Sequence, residues 1–143
     1  MSVFVLDTSV AAAWYLPEDL AGVARAWQRR MLRGELSFVV PSLHYWELAN
    51  VLRTYVRRGE LEAPMAEDVY RLHLEAPLKQ AEPERPRILQ VALEYQATAY
   101  DAVYIELALS LDAPLVTAER TTTPWVVKLG RHVRCLGAEG GGP

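Results

Sequence analysis

Four acidic residues stand where ordinary surface carboxylates do not. Asp7 directly follows the apolar, strand-forming run Val3 to Leu6, and Glu119 lies two residues past a second such run, Leu115 to Thr117. Glu47 is four residues from both Leu43 and Val51, on the apolar stripe of its segment, and Asp101 precedes Tyr104 and Ile105 by about one helical turn. Carboxylates on apolar surface repel one another and lose hydration, so a cluster of them persists when a cation neutralises it. The three histidines, His44, His73 and His132, show no ligand spacing, which counts against zinc. Oxygen ligands alone suit Mg²⁺ or Mn²⁺, and the matching chemistry is phosphodiester hydrolysis by a metal-activated water. Thr8, Ser9 and Thr117 add hydroxyls beside these acids that can hold a metal-bound water or a phosphate oxygen.

Each acid taken alone has a plainer role. Asp7 suits a turn cap with Thr8 and Ser9, Asp101 suits the negatively charged start of a helix, and Glu119 suits the surface. The functional reading depends on all four reaching one place.

The elements that must bring them there follow from pattern. Val3 to Leu6 reads as a central strand of a parallel sheet, stopped by the polar turn Asp7, Thr8 and Ser9. A helix is predicted from about Glu18 to Arg33, with Gly34 as its stop, then a strand over "LSFVVP" and a long helix capped by Ser42 and ending at Gly59. Pro64 starts a further helix that Pro77 ends, and a third short strand is expected around Leu78. The proline-rich "PLKQAEPERP" reads as a loop within the domain. Helices over "RILQVALEYQ" and "ATAYDAVYIELALSL", the latter capped by Thr98, lead to the strand "APLVTAE", a helix over "TTTPWVVKLG" and a last strand "HVRCL". Alternating strands and helices with short loops define an α/β domain: a central, mostly parallel five-stranded sheet flanked by helices in three layers. Ligands of such sheets bind outside the carboxyl ends of the strands, where Asp7 and Glu119 fall.

The 143 residues suffice for one domain with a continuous core, expected over 1–136, with 137–143 as a frayed tail. A formal charge of −3 advertises neither a nucleic acid nor a membrane partner. The single cysteine, Cys135, in apolar "HVRCLG", reads as a core thiol, and the absence of a leader-like start points to a reducing, cytoplasmic setting. No apolar run approaches the about 18 residues of a membrane helix. Dinucleotide fingerprint, P-loop and nucleophile elbow are all missing.

The stretches "VLDTSV", "ELANVL", "YDAVYIELAL" and "LVTAE", in that order and across nearly the whole chain, resemble the PIN-domain ribonucleases, and within them the VapC-like toxins of toxin–antitoxin pairs. The resemblance implies a Mg²⁺- or Mn²⁺-dependent endoribonuclease, a homodimer, inhibited by a cognate antitoxin that inserts a segment near the active site. It assigns catalysis and metal binding to Asp7, Glu47, Asp101 and Glu119, with Thr8, Ser9 and Thr117 shaping the site. The last acid departs from the pattern, since Asp is common where Glu119 stands, and its extra methylene sets its carboxylate farther back.

An RNA substrate needs local positive charge despite the acidic total. Arg25, Arg29 and Arg33 share one face of the first predicted long helix, Arg53 and Arg57 end the next, and Arg120 follows Glu119. Solvated helix faces with ordinary ion pairs are the plainer account of both clusters. Trp14 and Tyr15, just past the first acid, are placed to line a substrate groove, with Tyr100 as a further wall, whereas Trp46 reads as core and Trp27 as core or dimer contact. Two rival readings are a phosphoacceptor domain, which wants paired acids early in the chain, and a catalytically inactive PIN-like fold acting as an RNA- or protein-binding module.

Overall fold

The structure, a computed structural model, describes residues 2–140. Its elements run β1 (Ser2–Leu6), α1 (Thr8–Tyr15), α2 (Ala21–Leu32), β2 (Leu36–Val40), α3 (Leu43–Arg57), α4 (Ala63–Leu74), β3 (Lys79–Gln80), α5 (Ile88–Tyr95), α6 (Ala99–Leu111), β4 (Leu115–Thr117), α7 (Pro124–Leu129), β5 (Val133–Cys135) and α8 (Leu136–Gly140). The five strands form one parallel sheet in the order β3-β2-β1-β4-β5. The chain leaves β1 toward β2 on one side and places β4 on the other, so β1 and β4 border the switch point where such sheets open a crevice.

Strand alternation sorts the core into two layers. Val5, Val39 and Leu115 pack against Val91, Tyr104, Ile105 and Trp125, while Leu6, Phe38 and Val116 pack against Val10, Trp14, Trp27 and Met31. A third cluster, Ala12, Leu16, Leu48, Leu52 and Ala66, fastens α1, α3 and α4 together.

Several expectations change here. The polar turn after β1 is a helix start: Thr8–Tyr15 is helical, and because Thr8, Val10, Ala11, Ala12, Ala13 and Trp14 are all buried, no amphipathic stripe announces it. The next helix begins at Ala21 instead of Glu18 and ends before Gly34, whose φ of 75° closes it with the Gly34 N–H on the Met31 carbonyl. Ser42 does not cap α3. Its backbone is helical, and its N–H is satisfied by Glu82 Oε1 at 2.8 Å. The strand expected around Leu78 is Lys79–Gln80, paired with Val39 and Val40. Trp46 is 67% exposed, because α3 buries the stripe His44, Leu48, Leu52 on the opposite side. Trp27 is core, edge-on to Phe4. A short helix, Leu136–Gly140, starts at the fully buried last residue of the expected domain and runs into the expected tail, of which 141–143 lie outside the described residues.

Candidate active site

Backbone pairing joins the first carboxylate to β4. Leu6 is in register with Val116, and the Asp7 N–H donates to the Val116 carbonyl at 3.0 Å. The hydroxyl of fully buried Thr117 therefore meets Asp7, donating to Oδ2 at 2.7 Å, and Ser9 Oγ donates to the same oxygen at 3.0 Å. Although Asp7 stands at the N-cap position of α1, its carboxylate makes no side-chain capping bond there. Burial pushes the Asp7 pKa up, the Thr117 and Ser9 hydroxyls pull it down, and the charge of Glu47 pushes it up again.

Glu47 flanks the buried stripe of α3 in the helix's second turn. Tyr104 of α6 donates to its Oε1 at 2.6 Å and Thr8 of α1 at 3.0 Å. Burial raises its pKa, these two hydroxyls lower it, and Asp101 raises it. Asp7 Oδ2 and Glu47 Oε1 thus each take two hydroxyl bonds, which leaves the other oxygen of each carboxylate outside these clamps.

Asp101 lies in the first turn of α6, whose cap is Thr98: its Oγ1 accepts from the Asp101 N–H at 3.0 Å. Burial raises the Asp101 pKa, then the charges of Asp7 and Glu119 raise it further. Glu119 is exposed, and its Oε1 accepts from Thr123 Oγ1 at 3.0 Å, so it leans toward its own loop while remaining within electrostatic reach of Asp101.

The four acids, from the residue after β1, from α3, from α6 and from the loop after β4, therefore lie within electrostatic reach of one another at one edge of the sheet. Among the described residues, no three His, Cys, Asp or Glu side chains converge tightly enough to form a ready metal cage. The donor chemistry nonetheless fits a hard divalent cation: carboxylates that raise one another's pKa, with hydroxyls as neighbours.

The other expected residues divide. Trp14 is no groove wall: it is buried and its indole N–H donates to the Ala24 carbonyl at 2.9 Å, because α1 is sandwiched in the core. Tyr15 is half-buried and turns its hydroxyl inward, 2.7 Å from His73 Nδ1. Arg33 and neighbouring Arg30 pair with Glu35, beside the entry to β2 and hence at the edge of the sheet opposite the acids. Arg25 and Arg29 are exposed on the same helix, and Arg120 is exposed beside Glu119. Arg53 and Arg57 line a groove of about 660 Å³ between α3 and α4, with Tyr70, Arg71 and an apolar floor that includes Leu52 and Val56. They lie six and ten residues beyond Glu47, roughly 9 and 15 Å along α3.

Two clefts border the acids. One, about 370 Å³, is lined by Ser9, Glu18, Asp19, Val51 and Ala118. The other, about 740 Å³, is lined by Leu43, Glu82, Arg85 and the exposed Tyr100 next to Asp101. Arg85 had no signal in the sequence, since it opens the single 3-10 turn, Arg85–Arg87, that leads into α5.

Sequence reasoning also missed Tyr104, His44 and His73. Tyr104 lies three residues after Asp101 and His44 three before Glu47, so helical spacing alone marks both as neighbours of the acids. The histidines looked scattered, yet His44 and His73 are fully buried with their Nε2 atoms 2.9 Å apart. Nothing local in the sequence links residues 29 positions apart. His132 is separate, bonded to Asp112 at 2.8 Å.

A family model described as "PIN domain" matches residues 4–121. The chain belongs to the PIN-domain family. No curated protein sequence matches it. Among solved structures, this PIN domain is similar to PAE2754 from Pyrobaculum aerophilum, with a TM-score of 0.73 and 21% identity over 96% of this chain and 85% of that one. It is also similar to a toxin–antitoxin complex from Klebsiella pneumoniae, with a TM-score of 0.62 and 15% identity over 93% of this chain and 97% of that one. A third is VapBC2 from Rickettsia felis bound to a DNA fragment from their promoter, with a TM-score of 0.64 and 12% identity over 93% and 98% of the two chains. At these identities the likeness is one of fold. No described helix of this PIN domain is long and apolar enough to cross a membrane.

Proposed function

We propose that this PIN-domain protein is a Mg²⁺- or Mn²⁺-dependent endoribonuclease and the toxin half of a toxin–antitoxin pair, with residues 1–136 as the nuclease domain. The observation that carries the catalytic reading is the meeting of Asp7, Glu47, Asp101 and Glu119 at the switch point of the sheet, where burial first and then neighbouring carboxylates raise the pKa of Asp7, Glu47 and Asp101. The toxin role is supported by the fold shared with the Klebsiella and Rickettsia toxin–antitoxin structures. A homodimer, a cognate antitoxin and a cytoplasmic setting belong to the same reading.

Asp7, Glu47 and Asp101 would hold the metal, and Glu119 would join them directly or through water. Such an ion acidifies a bound water and neutralises charge on the phosphodiester. The chain's own part is preorganisation. Thr117 and Ser9 fix one oxygen of Asp7, Tyr104 and Thr8 fix one oxygen of Glu47, and Thr98 starts the helix that presents Asp101. Arg85 and Tyr100 line the cleft beside them, offering a phosphate contact and a ring on which an unpaired base can stack.

The lean of Glu119 toward Thr123 favours the second reading, a binding module without catalysis. Cleavage of single-stranded RNA in millimolar MgCl₂ or MnCl₂ separates the two. We expect wild-type protein to cut, EDTA to abolish cutting, and Asp7→Asn or Asp101→Asn to lower kcat by about 100-fold or more. Intact RNA under both metals, with the protein folded and free of antitoxin, overturns the catalytic reading.

A further inference from the structure

Behind Glu47 runs a file of side chains that the proposed chemistry does not use. Tyr15 Oη lies 2.7 Å from His73 Nδ1, the His73 and His44 Nε2 atoms are 2.9 Å apart, His44 Nδ1 is 3.2 Å from Thr8 Oγ1, and Thr8 Oγ1 is 3.0 Å from Glu47 Oε1. It crosses the molecule from α1 through α4 and α3 and back to the first residue of α1. His44, His73 and Thr8 are buried, where an unmade hydrogen bond is expensive.

Counting protons fixes the direction of the links that run from Thr8 through the two histidines to Tyr15. A Glu47 carboxylate only accepts. Tyr104 has one hydroxyl proton, and the 2.6 Å contact to Glu47 takes it. Thr8 Oγ1 lies 2.7 Å from Tyr104 Oη and 3.0 Å from Glu47 Oε1, so its own proton is spent within this trio, on one oxygen or the other. With its proton spent, Thr8 can only accept from His44, so His44 carries its proton on Nδ1. The bare Nε2 of His44 accepts from His73 Nε2–H, and the bare Nδ1 of His73 accepts from the Tyr15 hydroxyl. Burial lowers the His44 pKa to about 3 and the His73 pKa to about 4, so each ring brings one N–H at neutral pH, as the count requires.

We propose that Tyr15, His73 and His44 are positioning residues, a one-way chain of donors that keeps the Thr8 hydroxyl proton turned away from His44 and toward Glu47 and Tyr104, and so steadies the orientation of that carboxylate at the metal-binding edge. The consequence for catalysis rests on the proposed nuclease reading. The chain itself does not.

The test starts with nitrogen-15 histidine NMR of the full-length wild-type protein at pH 7. We expect His44 as the Nδ1–H tautomer and His73 as the Nε2–H tautomer, and the opposite pair, or a doubly protonated ring, overturns the proposal. His73→Phe breaks the chain, whereas His73→Gln keeps an acceptor and a donor on one planar group. In His73→Phe, which takes the donor from His44 Nε2, we expect Mg²⁺ affinity by calorimetry to fall about 3- to 10-fold and kcat on RNA to fall about 10-fold at unchanged KM; His73→Gln should restore most of each. Wild-type values of kcat and Mg²⁺ affinity in folded His73→Phe overturn the positioning role. Should that variant not fold, Tyr15→Phe replaces it, with a smaller loss of Mg²⁺ affinity and kcat expected, and wild-type values of both overturning the positioning role. A wild-type protein that neither binds Mg²⁺ nor cuts RNA sinks the nuclease reading, while the tautomers still decide the chain's direction.

Discussion

Asp7, Glu47 and Asp101 all have their pKa raised chiefly by burial, and the sign of that shift fixes how they act on stability. An acid whose folded pKa exceeds its unfolded value binds more protons when folded, so its favourable contribution is present below the unfolded pKa and is lost as pH rises through the folded one. At neutral pH these charges therefore strain the metal-free fold. Asp101→Asn should raise the melting temperature in EDTA by about 2–5 °C at pH 7, while shrinking the further rise that MgCl₂ gives the wild type; differential scanning calorimetry with and without metal reads both. Tyr104→Phe removes the shorter of two bonds to Glu47 from a residue already in the core. We expect it to fold and to lose about 10-fold in kcat, measured on the same RNA as the wild type.

At the scale of elements, caps and pairings decide where side chains are held. Thr98 is the one residue whose side chain caps α6, and α6 carries both Asp101 and Tyr104. Thr98→Ala should cost about 1 kcal/mol, seen as a lower denaturation midpoint in urea with an unchanged slope. The contact of α3 with α4 brings His44 to His73, and both folded pKa values lie below that of an exposed histidine. The sign is opposite to that of the acids. Stability from the neutral pair is complete above about pH 6.5 and is lost as pH falls toward about 4, at up to about 1.4 kcal/mol per pH unit per ring. Melting temperature followed from pH 7 to 4.5 should therefore fall more steeply in wild type than in His73→Gln.

Over the whole molecule, the parallel order β3-β2-β1-β4-β5 leaves the acids at one edge, with Arg85 and Tyr100 on one flank and Glu18 and Asp19 on the other. A net charge of −3 means that any RNA affinity comes from local arginines and is steeply salt-dependent. KM for RNA should rise several-fold between about 50 and 200 mM KCl, and Arg85→Ala should flatten that slope by about one phosphate contact, read from the log–log plot.

What the chain alone determined was periodicity and punctuation. Apolar runs marked the strands, Thr98, Gly34 and Pro64 marked helix ends, and an acid after each of two strands marked the edge where a parallel sheet binds ligands, because all of these are encoded within a few residues of one another. It also marked Glu47 and Asp101 as acids beside apolar faces. Where periodicity vanished, the reading failed: α1 is buried on nearly every side and shows no stripe, so Trp14 passed for a groove wall and the helix for a turn. Only the tertiary structure decided which groups meet across long separations. Thr117 reaches Asp7 across 110 positions, Tyr104 reaches Glu47 across 57, and His44 finds His73 across 29. Strand register and helix packing set those meetings, and neither leaves a local trace in sequence.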